Sequence, residues 1–500
     1  MPRSSLAAAL LGAVVFPLAP ARPLRAQDIP AGTAAPAKTA EPTLADLANL
    51  IAEQRRLIED QRQEIDNMRA ALEETRTLAV SAHNRLQALD QQPPAPTVTA
   101  AVEERLAQLE QSVQHIPEIP PDVVSAGDFP GSFRIPGTDA ALRIRGLVRM
   151  TSVNTFGPLG SEDRFVTSSI PVAGTPEAGK QARTVYTANP SRFSFDLRTP
   201  TGVGAMRAFI EGDFAGSGRT LRLRHAYGQW GPWIAGQTWS TFADPEAEPD
   251  GIDFEGLNAI SLFRQTQLRF THRFKDHVDL ALALENPAPD ITGASGISQV
   301  PDLIARLRLT PAKDRGPLGL GFHRTGSHAH FALLFRQIRG EPTAQPNTTL
   351  STFGFGGNLS GRLPAPFGTD RTQVTYAVYA GRGIGRYITD LGTLGGQDAV
   401  YDPATNTLQA LPVFAAYVGL ERRWNRALRS TATYGLVHVD TVALQPPDAL
   451  SRTNRGSLNL SWSPISRLDL VVEYLLGNRV NDDGASGFSN QLQIGGNFRF

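Results

Sequence analysis

Leu142-Arg143-Ile144-Arg145-Gly146-Leu147-Val148-Arg149-Met150 reads with a period of two. Leu142, Ile144, Val148 and Met150 share one face and Arg143, Arg145 and Arg149 the other, the pattern of a strand that is apolar on one side and polar on the other. The same alternation recurs downstream. Phe193, Phe195 and Leu197 oppose Arg192, Ser194, Asp196 and Arg198; Leu221 and Leu223 oppose Arg222 and Arg224; Leu268, Phe270 and Phe274 oppose Arg269, Thr271 and Arg273. Val278, Leu280, Leu282 and Leu284 oppose Asp279, Ala281, Ala283 and Glu285, and Leu303, Ala305, Leu307 and Leu309 oppose Asp302, Arg306 and Arg308. Near the end, Leu468, Leu470, Val472, Tyr474 and Leu476, then Leu492, Ile494, Phe498 and Phe500, alternate with polar residues.

Strands are expected near residues 140, 191, 203, 220, 233, 264, 277, 302, 329, 350, 371, 412, 427, 453, 467 and 489, sixteen in all. An even number suits a single-chain bacterial barrel, as does the alternation of tight connections (199–202, 231–232, 275–276, 463–466) with long ones (157–188, 240–257, 382–410). Pro311–Ser327 is the exception, a long connection in a short position that leaves the count open by about two strands. A soluble β-sandwich also uses alternating strands. The membrane is favoured by strand lengths that suit a tilted span and by Trp230, Trp233, Trp239, Trp424, Trp462 and Tyr474 at strand ends, as in an aromatic girdle. The fold expected is therefore all-β, a 16-stranded antiparallel transmembrane barrel over residues 137–500.

The N-terminal part reads differently. Arg3, an apolar run from Leu6 to Leu18 and small residues up to Ala26 form a secretory signal pattern over 1–26, followed by a Pro/Ala-rich leader over 27–42. Leu44, Ile51, Ile58, Ile65, Leu72, Ala79 and Leu86 then recur every seven residues, with a partly polar second seam three residues on. Prolines break the helix within 92–100, and Val102, Leu106, Leu109, Val113 and Ile116 resume it. Residues 43–117 thus read as a coiled coil preceding the barrel, since an isolated helix would leave its stripe in water, and 118–136 as a linker.

Composition narrows the function classes. The 48 Lys plus Arg balance 48 Asp plus Glu, which speaks against a nucleic-acid binder, and the absence of cysteine excludes a disulfide scaffold or a cysteine-ligated metal. Only Lys38, Lys180, Lys275 and Lys313 are lysines, so 44 of the 48 cations are arginine. Genomic base composition alone can produce that bias. Beyond the leader no run of 18 apolar residues occurs, which leaves no helical span in the sequence.

Several segments carry a family resemblance. They are Gly131-Ser-Phe-Arg-Ile-Pro-Gly137-Thr-Asp139, Ser191-Arg-Phe-Ser-Phe-Asp-Leu-Arg-Thr-Pro200, Phe209-Ile-Glu-Gly-Asp-Phe214, Leu221-Arg-Leu-Arg-His-Ala-Tyr-Gly228 and Gly236-Gln-Thr-Trp-Ser-Thr-Phe242. With them the chain resembles the DcaP-like outer-membrane porins, from about residue 125 to 500 and most strongly over 131–260. The resemblance implies a homotrimer of 16-stranded barrels in the bacterial outer membrane, with a periplasmic coiled coil and permeability to small anions including dicarboxylates.

If the apolar face of each strand meets lipid, Arg143, Arg145, Arg149, Arg192, Arg198, Arg207, Arg222, Arg224, Arg269, Arg273, Arg306 and Arg308 point into the lumen. Fewer acids do so on the clearest strands: Asp196, Glu211, Asp213, Asp279, Glu285, Asp302, Asp469 and Glu473. Such a surplus concentrates anions, and guanidinium forks match carboxylates while staying charged. The plainer alternative is that the arginines pair with carboxylates and merely fill space. Asp244, Glu246, Glu248, Asp250, Asp253 and Glu255, in the connection over 241–257, are expected to form a constriction if that loop folds inward, and a solvated outer surface if it does not.

Expected partners are outer-membrane lipid and lipopolysaccharide, the barrel-assembly machinery through the strand ending at Phe500, and peptidoglycan or a periplasmic protein for the coiled coil. No cofactor is indicated. His328 and His330 form an H-x-H pair without an evident third ligand, Gly381-Arg-Gly383-Ile-Gly385 lacks dinucleotide-site spacing, and no G-x-S-x-G elbow occurs. A passive anion porin is the leading reading, a plugged barrel serving as an envelope anchor the second, and a barrel hydrolase the third.

Overall fold

The structure, a computed structural model, describes residues 125–311, 326–365 and 371–500, apart from 203, 275 and 276. The signal sequence, leader and coiled coil, and most of the Pro311–Ser327 connection, lie outside the described residues.

Sixteen strands form the wall: β1 (Ala141–Thr155), β2 (Arg192–Thr201), β3 (Gly204–Asp213), β4 (Arg222–Trp230), β5 (Trp233–Trp239), β6 (Arg264–Phe274), β7 (Val278–Glu285), β8 (Asp302–Leu309), β9 (His328–Pro342), β10 (Leu350–Pro364), β11 (Thr372–Arg382), β12 (Pro412–Arg423), β13 (Leu428–Val439), β14 (Leu450–Ile465), β15 (Leu468–Asn481) and β16 (Ser486–Arg499). Each pairs antiparallel with the next. β16 returns to β1 with Leu147 opposite Arg499 and Thr155 opposite Gln491, and Phe500 exchanges backbone hydrogen bonds with Gly146 at 3.1 Å. Closure satisfies the backbone groups that an open edge would leave bare in lipid.

The outer face follows the period-two reading. Ile144, Val148 and Met150 on β1, Leu280, Leu282 and Leu284 on β7, and Leu470, Val472, Tyr474 and Leu476 on β15 are exposed on the exterior, the band expected against lipid. Trp230, Trp233, Trp424 and Trp462 stand exposed near the short-turn end. Trp239 departs from the girdle expectation. It belongs to the lumen, where the Arg264 guanidinium lies 4.1 Å from its ring centroid.

Candidate functional site

Two of the long connections fold into the barrel. The loop over 240–263, between β5 and β6, runs across the inner face of the strands from β8 to β15. Asn358 of β10 donates to Phe242 O at 2.7 Å, Tyr417 of β12 to Ala247 O at 3.1 Å, Asn459 of β14 to Asp250 O at 2.6 Å, and Glu473 of β15 accepts from Ile252 N at 2.6 Å. Glycines on the inner face let the loop approach. A Cβ at Gly419 would sit 2.8 Å from Pro249 Cβ, and one at Gly435 would collide with Asn258.

The loop over 383–411, between β11 and β12, lies behind it. Its Ile384, Tyr387, Ile388 and Leu391 pack with Phe242 and Ile260 of the first loop against Ile304, Leu334, Tyr379, Val413, Ala415 and Val437 of the wall. A charged clamp fixes it. Arg336 of β9 is fully buried and reaches Asp398 at 2.9 Å and Asp302 at 3.3 Å, while Tyr387 donates to Asp302 at 2.7 Å. In this sector the expected polar lumenal face is replaced by an apolar one, because the wall is covered by loops rather than by water and is apolar on both faces, as in a two-sided protein core.

The opposite wall stays open. A cavity of about 1220 Å³ is lined by twelve arginines and eight carboxylates, and Arg149 of β1, Arg192 of β2, Arg222 and Arg224 of β4 and Arg264 of β6 form its strand-built side. Arg224 bridges Glu211 at 2.7 Å and Asp213 at 2.8 Å, and Arg222 bridges Asp213 at 2.7 Å. Arg192 stands 3.9 Å from Glu211. Among the described residues Arg149 bonds only neutral groups, Asn497 Oδ1 at 2.7 Å and Ile252 O at 3.3 Å. Arg264 has no ion pair among the described residues.

Of the twelve arginines singled out in the sequence, Arg149, Arg192, Arg222 and Arg224 line this cavity. The other eight sit nearer the short-turn end. Arg143, Arg198 and Arg207 surround Asp196 at 2.8, 3.1 and 2.8 Å, with Phe129 against the first two guanidinia. Arg273 meets Asp279 at 2.8 Å, and Arg308 meets Glu246 and, at 3.7 Å, Asp244. Arg145 is exposed, and Arg269 and Arg306 have no ion pair among the described residues. Many of these arginines are thus neutralised by carboxylates, as the plainer reading has it, while a subset is not.

The six loop acids are held individually. Asp244 accepts from His328 at 2.8 Å and Ser360 at 3.0 Å; burial would raise its carboxyl, but the His328 hydrogen bond and the nearby His330 and Arg308 outweigh that and hold it at about 2. Glu246 pairs with Arg308, Asp250 with Arg429, and Asp253 with Arg455 at 2.7 Å. Glu255 lies 3.7 Å from Arg164 and accepts from Thr393 at 3.0 Å, yet burial still raises its carboxyl. Glu248 has no side-chain hydrogen bond among the described residues. Burial pushes it up to about 7 even though Arg149, Arg192, Arg224 and Arg264 stand within electrostatic reach.

Arg164, Arg264, Arg362, Arg386, Arg423, Arg429, Arg455 and Arg499 also line the cavity. They were missed for two reasons. Arg164 and Arg386 come from loops, which periodicity does not read, and the others lie on strands whose alternation is blurred, as at Asn454-Arg455-Gly456. The signal available for Arg429 and Arg499 was their parity with neighbouring inner-face residues, whereas Arg264 shares the parity of the outward Leu268.

Residues 131–314 match the family model described as DcaP outer membrane protein. Over that stretch the chain is similar to the DcaP family. Its barrel is similar to the crystal structure of the outer membrane channel DcaP of Acinetobacter baumannii, with a TM-score of 0.61 and 22% identity over 72% of this chain and 97% of that one. More distantly, it is similar to an anion-selective porin from Comamonas acidovorans, with a TM-score of 0.48 and 11% identity over 72% of this chain and 100% of that one. No curated protein matches the sequence significantly. The barrel has the fold of an outer-membrane channel.

Proposed function

We propose that this DcaP-like chain is a passive pore for small anions, dicarboxylates among them, selected where the arginine wall faces the loop over 240–263. The observation that carries the reading is the unpaired arginines on the strand-built side of the cavity. Arg149 and Arg264 there have no carboxylate bonded to them among the described residues, and twelve arginines stand against eight carboxylates around the whole lining. Low-dielectric walls focus that surplus on the narrowed passage, so anions concentrate in it and step between guanidinia of moderate affinity.

The assembly proposed is a homotrimer in the outer membrane with the coiled coil in the periplasm. β4 and β5 have 9 and 7 residues, whereas β14 has 16. A spanning strand needs about 9–11, so the low sector around β5 suits contact with a second copy better than contact with lipid alone.

The test is the reversal potential of the purified full chain in a planar bilayer under a potassium chloride gradient. A potential near the chloride limit supports the reading, and cation selectivity defeats it. The infilling by the two loops favours the plugged anchor as second reading, which would show no conductance in the same membrane.

A further inference from the structure

We propose that the short-turn half of the lumen holds a second, discrete anion station, formed by Arg269 of β6 and Arg306 of β8, that takes a compact divalent oxyanion such as sulfate. The inference rests on the anion-pore reading and adds a site below the cavity that reading uses.

Register brings the two arginines together. Across β7, Arg269 is opposite Ala283 and Arg306 is opposite Ala281, so the pair flanks two adjacent inner-face alanines. Backbones two strands apart are about 10 Å from each other, within the combined reach of two arginine side chains. Ala281 and Ala283 are 0% and 2% exposed, although the smallest chiral side chains on a lumenal face can be covered only by their neighbours.

Neither arginine has an ion pair among the described residues, whereas Arg273 and Arg308 beside them do. The Nε of Arg269 and of Arg306 is buried without a hydrogen-bond partner among the described residues. Nearby carboxylates are committed elsewhere: Asp279 to Arg273 at 2.8 Å, Glu285 to Ser240 at 2.7 Å and Thr241 N at 2.6 Å, and Asp244 to His328 at 2.8 Å. One inner-face step along β8, Arg308 is instead met by Glu246. Arginines placed only to fill the lumen would be paired alike. A buried guanidinium N–H left without an acceptor is costly, and an anion supplies the acceptor.

The ligand class follows from the donors. A monocarboxylate presents two oxygens and satisfies one fork, whereas a tetrahedral dianion has four oxygens and two charges and can accept from both forks at once.

The experiment is block of chloride current through the full chain in a planar bilayer by sulfate added from each side in turn. Wild type is expected to show saturable block. Arg269→Gln with Arg306→Gln should raise the half-blocking concentration about ten-fold or more, the loss of charge-assisted bonds on that scale, while Arg308→Gln should shift it less than about two-fold. If the glutamine pair does not assemble, Arg269→Lys with Arg306→Lys keeps both charges and removes the forks, and is expected to weaken sulfate block while chloride selectivity persists. No sulfate block in wild type, or block unchanged in either double variant, overturns the station. A cation-selective wild type would instead defeat the anion-pore reading beneath it.

Discussion

The wall from β1 to β6 and the wall from β8 to β14 are built from the same kind of strand and face the same lumen, yet they carry opposite inner faces. On the first, Arg149, Arg192, Arg224 and Arg264 line the open cavity, Arg149 and Arg264 with no ion pair among the described residues. On the second, Ile304, Ala332, Leu334, Ala377, Ala415 and Val437 are fully buried beneath two inward loops. The difference teaches that a barrel's inner face is polar only where water reaches it. Where a loop lies down on the wall, the wall becomes a core, and the passage is displaced toward the other side.

The sharpest way to break the comparison is to free the covered wall. Arg336→Ala removes the guanidinium shared by Asp398 and Asp302 and strands buried carboxylates, a loss of about 3–5 kcal/mol. The apparent unfolding midpoint in detergent should fall sharply, and single-channel conductance should rise as the loop over 383–411 lifts.

Next in size is the open wall. Arg149→Gln, Arg192→Gln and Arg264→Gln together should lower the anion-to-cation permeability ratio by on the order of ten-fold at low salt and less at high salt, as screening predicts. Permeability ratios from reversal potentials at two ionic strengths check both parts. Selectivity unchanged by the triple variant would mean that the filter lies elsewhere.

A paired substitution sharpens the contrast between faces. Ile304 is 0% exposed on the covered inner face and Ile144 is 47% exposed on the exterior. Ile304→Val should lower stability by about 0.5–1.5 kcal/mol, and Ile144→Val should leave the same unfolding midpoint nearly unmoved.

The smallest effect expected is on pH. Glu248 has its carboxyl raised to about 7, so the group is ionised above that value and neutral below it. As pH falls from 8 to 6 in about unit steps, the constriction gains one positive charge, and anion selectivity should rise modestly. Glu248→Gln should hold the high-selectivity value at every pH. The stability consequence has the same sign: the raised carboxyl favours the folded state below its unfolded pKa, and that contribution is lost as pH climbs through about 7.

The sixteen strands were legible because period-two alternation survives wherever one face meets lipid, as in β1, β7 and β15. The Trp230 and Trp233 ends of β4 and β5 were legible for the same reason. The inner surface was less so. Ile304 and Leu334 are inward apolar residues whose cover comes from Ile384 and Leu391, some fifty or more positions along the chain, and no local pattern announces such a contact. The glycines at 419 and 435 hold the nearest local trace of it, since each leaves room for the loop over 240–263. Arginine parity identified Arg149 and Arg224, but their partners decide which charges remain free, and Asp213 and Glu211 neutralise Arg224 while Arg149 has neutral partners alone.

The most direct test uses the absence of cysteine from the chain. Single cysteines at Arg192, on the open wall, and at Ala377, on the covered wall, would be exposed to anionic and cationic thiol reagents during current recording. The account predicts rapid modification and loss of current at position 192, faster with the anionic reagent, and no modification at position 377. Equal rates at the two positions, or faster reaction with the cationic reagent at position 192, would contradict it.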